Sequence, residues 1–465
     1  MRRVFRSRTT QPLGEQAASA RLRRSRDTVW RPGGARGRPT VRCALGSASL
    51  VRHLIIGNGP AGVVAALTLR RLDPSAEITV IGESGGALQS AACTAYRACT
   101  VGEEVASGTP VDADRFARSC IELRHARVEA VDTSACHVRL ADGQVVPYDR
   151  VLIATGSRPV RPAIAGIDLP QVFTCWSPAD AQAIAAAVGP AARVLQMGAG
   201  FIGCISLQAL AAKAARLTVV EVRERMLAHL LDDIAGDLIR RWCEEQGVQM
   251  CVGRRVVAVT QSGERLRAEL DDGRTIEADA LVSATGGQPN VAFLTGSGIA
   301  LARGVLVDAA MQSSIRGVYA AGDAAEALAA SASGRWVSAI RPDAVEQARI
   351  AALNMAGHPV LLPGTFAFCI VDTLGLISAS FGQWQGSPDC EQAQVLDDGD
   401  YRYLRLVFSG DRLIGANNVG HTDQIAALRG LIQGGVRLGE WKARLLANPL
   451  QLTEAYLALR LAASD

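Results

Sequence analysis

The chain reads as an α/β protein: a strand–turn–helix unit present twice, followed by a smaller α+β region. Three observations predict this. The pattern G-x-G-x-x-G occurs at Gly57, Gly59, Gly62 and again at Gly198, Gly200, Gly203. Each copy follows a short apolar run, opens a stretch of small and aliphatic residues, and precedes a second apolar run ending in an acid, Glu83 or Glu221. An apolar run ending in Ala-Thr-Gly also recurs, at Ala154-Thr155-Gly156 and at Ala284-Thr285-Gly286.

The first copy begins with the strand at His53–Ile56. The helix opens at Pro60 and Ala61, and Ile78–Ile81 is the next strand. In such a unit the first glycine makes the sharp turn and the second lets a pyrophosphate approach the backbone. The third allows helix and strand to pack closely. The helix N-terminus attracts phosphate, and the acid accepts a ribose hydroxyl. Ser84 to Pro110 has no clear period. Residues 113–123 read as a helix, Arg127–Val131 and His137–Leu140 as strands, and Val151–Ile153 as a buried strand. A proline-broken linker runs from Arg158 to Pro170.

The second copy has a strand at Arg193–Met197, a helix over 204–215 and a strand at Leu217–Val220. An amphipathic helix over 234–246, a strand at Val248–Val252 and a hairpin around Asp271-Asp272-Gly273 follow. Two Rossmann-like units in one chain imply two dinucleotides, read economically as FAD in one and a nicotinamide nucleotide in the other. Beyond residue 346 no nucleotide motif remains. Tyr401–Phe408 alternates as a half-buried strand, and helices are expected over 423–432 and 449–461. Trp384, Tyr401 and Tyr403 are expected in a core, or alternatively on a surface for an electron partner.

Composition narrows the class. With 465 residues, 49% hydrophobic and 20% charged, the chain is an ordinary globular protein too long for one core. It has no apolar run long enough to span a bilayer. Eleven cysteines are scattered without a C-x-x-C pair, which argues against a structural metal and fits a reducing cytoplasm. The net charge is +4, but residues 1–50 hold twelve arginines against Glu15 and Asp27. The rest is therefore net negative, with no basic stripe for nucleic acid. Residues 1–50 are expected to be a disordered arm: sequence translated upstream of the fold, or alternatively an organelle-targeting segment.

The order of these motifs resembles the FAD-dependent pyridine nucleotide-disulfide oxidoreductase superfamily, especially its rubredoxin reductase, ferredoxin reductase and nitrite reductase large-subunit branch. The resemblance rests on residues 56–62, Ala154 to Pro159, Gly198 to Gly203 with Glu221, Val318-Tyr319-Ala320-Ala321-Gly322-Asp323, and residues 344–349 and 354–357. It implies an FAD unit formed by 51–160 and 283–345, an NAD(P) unit at 161–282, and a C-terminal α+β interface domain at 346–465 that supports a homodimer. It also implies an FAD site of Gly57, Gly59, Pro60, Ala61, Gly62, Glu83, Ala154, Thr155, Gly156, Gly322 and Asp323. Asp323 would lie at the start of a helix facing the flavin. The NAD site would comprise Gly198, Gly200, Phe201, Ile202, Gly203, Glu221 and Gly286. Glu221 favours NADH over NADPH, although Arg223 and Arg225 lie close by. The implied activity passes a hydride from NADH to flavin and electrons to an acceptor, a small redox protein such as rubredoxin or ferredoxin, or a small molecule.

Two departures bear on catalysis. Where members of the superfamily carry a glutamate near the nicotinamide, this chain has Ile205, which leaves Glu346 as a candidate polar group. The stretch Gly85–Pro110 also lacks the branch's Tyr-Ser-Arg-Pro-like segment; codons for Ala87-Leu88-Gln89-Ser90 shifted by one base would spell Pro-Tyr-Ser-Arg. Cys93 lies where single-cysteine members keep a flavin-facing thiol, and Cys99 follows at an unfavourable spacing for a pair. A Cys93-based peroxide or disulfide reductase, and a non-catalytic FAD-binding sensor or subunit, are the alternatives.

Overall fold

The computed structural model describes residues 50–83, 111–214, 216–329 and 334–462, side chains at 111–114 and 178 excepted. Its first parallel sheet runs in the order Val318–Ala320, Arg150–Ile153, Arg52–Ile56, Glu77–Gly82, Glu122–His125. Leu54 pairs with Thr79 on one side and Val151 on the other, so the central strand is hydrogen-bonded on both edges. Continuous aliphatic runs suit such a strand, because both its faces are covered. Helix Pro60–Leu72 buries Val63, Ala65, Ala66 and Leu69 and packs against helix Arg341–Met355, whose buried face is Ala344, Gln347, Ala348, Ala351 and Ala352. Small residues on both helices let their backbones come close.

The second sheet has the same plan. Its order is Gln249–Val252, Arg216–Glu221, Arg193–Met197, Ala280–Ser283, Val172–Thr174, all parallel. The duplication goes deeper than the glycine motifs. Each unit also carries a three-stranded antiparallel meander before its return strand, at residues 128–147 in one and 256–278 in the other. Only the edge strand beside the return strand has a different source: the last of its sheet along the chain in the first, the first along the chain in the second.

A five-stranded antiparallel sheet follows, ordered Phe368–Thr373, Leu376–Gly382, Arg412–Val419, Arg402–Ser409, Glu391–Asp397. Helices Ile425–Gln433, Glu440–Ala447 and Leu452–Ala462 belong with it. Tyr403 is fully buried and Tyr401 nearly so, while Trp384 is only half-buried. Both tyrosines share a core with Leu207 and Leu238 of the second unit, so this sheet is packed onto that unit.

Three local expectations need correction. The helix expected over 113–123 stops at Arg118, and Leu123 lies in a strand. Cys120 adopts a left-handed φ of 52°, and the Ile121 N–H turns back to the Phe116 carbonyl, which ends the helix. The helix expected over 204–215 spans Phe201–Ala211, placing its third glycine in the first turn. The linker after Gly156 contains a short strand, Ser157–Pro159, paired antiparallel with Gly287–Pro289.

Candidate active site

One continuous cavity of about 1940 Å³ runs between the two units. That is about twice the roughly 1,000 Å³ reached by single small-molecule pockets. Its first end is lined by Gly57, Gly59, Pro60, Ala61, Glu83, Ala154, Thr155, Gly156, Gly322 and Asp323. Its second end is lined by Gly198, Gly200, Phe201, Ile202, Glu221 and Gly286. Gly62 and Gly203 stand back from the wall, because their place is the helix–strand contact.

The glycines divide their work by geometry. Gly57 has φ +110° and Gly198 φ +98°, conformations L side chains rarely adopt. A Cβ on either would overlap a carbonyl oxygen, of Ala154 or Ala284. A Cβ on Gly62 would meet the Gly57 carbonyl, and one on Gly203 the Gly198 carbonyl, both inside the 3.0 Å that real Cβ atoms keep. At Gly59 and Gly200 a Cβ would meet no protein atom within 4 Å. The open space therefore lies in front of the second glycine of each turn.

The two acids sit differently. Glu83 is exposed at the cavity mouth, 4.0 Å from Arg127. Glu221 is buried; its Oε2 accepts the Ala199 N–H at 2.6 Å and its Oε1 the Arg223 N–H at 2.8 Å. The carboxylate thus holds the glycine turn from below while facing the cavity. Arg225 is turned away, 2.6 Å from Asp233, and does not line the cavity, whereas Arg223 does.

Asp323 departs from its expected setting. It lies in a single 3-10 turn, Gly322–Ala324, that leads into strand Ala325–Leu328, not at an α-helix start. That strand pairs with Val305–Leu306, which draws the chain away from a helix. The helix whose first residues line the cavity begins later, at Arg341. Asp323 Oδ2 accepts a hydrogen bond from Ser157 Oγ at 2.5 Å. Burial pushes its carboxyl above the usual carboxylate range, and the Ser157 hydroxyl opposes this. The Gly322 N–H is held at 2.9 Å by Gln347 Oε1, whose amide donates to Thr365.

Glu346 does not reach this cavity. It is half-exposed, pairs with Arg349 at 2.7 Å and lines a separate cleft of about 700 Å³. Its neighbour Gln347 is the residue tied to the site. Helical spacing carries the signal: Ala344, Gln347, Ala348 and Ala351 share one face, and residue 346 falls off it. Ile205 does line the cavity, as do Phe368, Cys369 and Ile370 from the third sheet. Burial pushes the Cys369 thiol up to about 12, so it stays protonated. Cys93 and Cys99, and the stretch Gly85–Pro110, lie outside the described residues.

A scan of family models matches residues 51–351 to "Pyridine nucleotide-disulphide oxidoreductase". The chain belongs to this family. A subunit of Aromatoleum evansii named NADH-dependent phenylglyoxylate dehydrogenase subunit epsilon is 30% identical over 410 residues, covering 86% of this chain and 95% of that one. The biphenyl dioxygenase system ferredoxin–NAD(+) reductase component of Paraburkholderia xenovorans is 31% identical over 312 residues, 66% of this chain and 76% of that one. In fold, the chain matches the crystal structure of the covalent putidaredoxin reductase–putidaredoxin complex with a TM-score of 0.80 at 21% identity. That match covers 88% of this chain and 99% of the other.

As a pyridine nucleotide-disulphide oxidoreductase of the ferredoxin and rubredoxin reductase-like branch, the chain is an FAD-dependent NAD(P)H oxidoreductase. The family's FAD and NAD(H) fit what the residues offer: two glycine cradles whose second glycine faces open space, and an acid beyond each. Among the described residues no helix is long and apolar enough to cross a membrane.

Proposed function

We propose that the chain takes a hydride from NADH onto FAD and hands the electrons to a small redox protein such as a ferredoxin or rubredoxin. The observation that carries this is the single cavity joining both glycine cradles, which lets the reactive ends of two dinucleotides meet. FAD supplies the hydride- and electron-transfer chemistry; the protein supplies placement and electrostatics. In this reading 51–160 and 283–345 form the FAD unit, 161–282 the NAD unit and 346–465 the third domain. Gly57 and Gly59 with the N-terminus of Pro60–Leu72 receive the pyrophosphate of FAD, Glu83 its ribose, and Asp323 its polar arm. Gly198, Gly200 and Glu221 do the same for the nicotinamide nucleotide. Phe201, Ile202, Ile205 and Phe368 exclude water between the two. Anaerobic NADH added to the purified protein should bleach a flavin band; a band that persists, or no flavin at all, would sink the reading.

NADH is the proposed donor. Glu221 is a buried anion at the strand end, so a 2′-phosphate would bring a second negative charge against it. Glu221→Gln is expected to lower kcat/KM for NADH about tenfold, the loss of one charge-assisted hydrogen bond. The value for NADPH should fall less, narrowing the preference. Parent enzyme equally efficient with NADPH contradicts the assignment.

A second reading is favoured by the extent of one match. The match to the epsilon subunit covers 86% of this chain and 95% of that subunit, whereas the ferredoxin–NAD(+) reductase match covers 66% of this chain and 76% of that one. In that reading the chain is the NAD(H)-handling subunit of a larger dehydrogenase. Isolation from its native source tests it: a stable assembly with other subunits supports this version, and a free chain that reduces ferredoxin supports the first.

A further inference from the structure

The chain crosses between the two nucleotide-binding units twice, at Ser157–Pro159 and at Gly287–Pro289. The crossings pair with each other as a two-stranded ribbon of three residue pairs. So short a ribbon has little rigidity of its own, and such connections are where domains hinge. One side chain touches both strands of it. The Trp176 indole N–H donates to the Ser157 carbonyl at 3.0 Å. Its six-membered ring fills the place a side chain at Gly287 would need. Trp176 is itself anchored. Its backbone N–H donates to Asp180 Oδ2 at 3.1 Å, within the capping box of Ser177 and Asp180 that starts helix Pro178–Ala187. It also lines the cavity. Ser157, held by the indole through its carbonyl, holds Asp323 through its hydroxyl.

We infer that Trp176 is a positioning residue: it pins both crossings and so fixes the distance and angle between the two bound dinucleotides. The inference rests on the reading that FAD and the nicotinamide nucleotide occupy the two ends of the cavity. Transfer between ligands held on separate units depends on their register, and a misplacement of about 1 Å costs on the order of 100-fold in rate. Trp176 holds the ribbon and belongs to neither glycine turn, so its loss changes this register while both pyrophosphate cradles stay in place.

Two variants test it from opposite sides of the contact. Trp176→Phe keeps a ring and removes the indole N–H; Gly287→Ala leaves Trp176 intact and pushes its ring off the ribbon. Flavin reduction by NADH is followed anaerobically by stopped flow, with flavin content and thermal midpoint measured alongside. In both, the limiting reduction rate should fall roughly tenfold or more. Half-saturation by NADH should stay within about twofold and flavin stay stoichiometric, since both cradles are unchanged. A limiting rate unchanged in both variants overturns the inference, whatever the thermal midpoint does, because a purely structural tryptophan would move only the latter. A rise in half-saturation alone, or loss of flavin from Trp176→Phe, also overturns it by placing the role at one ligand. Failure of the underlying reading shows separately, as parent protein that NADH does not bleach.

Discussion

Gly59→Ala should yield a protein that melts like the parent apoprotein but emerges largely free of flavin, while Gly62→Ala should be damaged in the fold itself. The two residues are three apart in one motif, so the contrast isolates what each glycine does. Gly59 has extended φ and ψ of −72° and −174°, which any residue adopts, and a Cβ there meets no protein atom within 4 Å. The new methyl enters only the space proposed for the pyrophosphate. The close approach of backbone N–H donors to phosphate is lost, and overpacking of about 1–3 kcal/mol lowers flavin affinity about tenfold to a hundredfold. Gly62 lies inside helix Pro60–Leu72, where alanine is the better helix former by about 1 kcal/mol. There the methyl meets the Gly57 carbonyl, a backbone atom that cannot rotate away. Helix and strand must separate, and about 2–3 kcal/mol of stability goes with them. Absorbance of bound flavin and urea unfolding of the apoproteins distinguish the two. Stoichiometric, tightly held flavin in Gly59→Ala would falsify the placement of the pyrophosphate. The second motif permits the same comparison, Gly200→Ala against Gly203→Ala, read through NADH half-saturation.

Both glycine turns were legible in the sequence because their logic is local: strand, turn and helix are contiguous, and each glycine answers to a neighbour within a few residues or to the ligand. The parallel sheets followed from uninterrupted aliphatic runs such as Val151–Ile153. What escaped was held by distant partners. Trp176 and Ser157 meet across a 19-residue separation, and Ser157 meets Asp323 across 166. Nothing in the local pattern marks either. The family resemblance implies a helix start at Asp323; instead the following residues pair as a strand with Val305–Leu306. The strand Phe368–Thr373, which brings Phe368 and Cys369 to the cavity, alternates in burial, but exposed Ile370 breaks the polar–apolar signal. Glu346 and Gln347 differ in another way. The helical period puts uncharged Gln347 on the inner face and leaves the charged Glu346 beside a separate cleft.

A second large effect is expected from His53 when the pH is lowered. This histidine sits in the central strand of the first sheet, 2% exposed, between Ile78 and Arg150, and its Nδ1 has no hydrogen-bond partner. Burial is the main cause that lowers its pKa from 6.5 to about 4; Arg150 and Arg70 act in the same direction, and the carboxylates of Asp73 and Asp149 oppose it. The folded protein therefore keeps the ring neutral while the unfolded chain binds a proton below 6.5. As pH falls, the unfolded state gains that proton first, so stability is lost between about pH 6.5 and 4 and levels off below. At 1.36 kcal/mol per pKa unit the loss from this one group is about 3 kcal/mol. It adds to the losses from carboxylates held low by arginines, such as Asp149 beside Arg52. His53→Gln removes the titrating group. The variant's stability relative to the parent, from urea unfolding, should improve by about 3 kcal/mol between neutral pH and about pH 4, whatever the substitution costs at neutrality. A difference that stays constant over that range means the unfolded and folded chains protonate His53 alike. The central strand would then tolerate the charge, and the first sheet, which carries the first glycine turn, would not be the part of the fold that acid attacks through this residue.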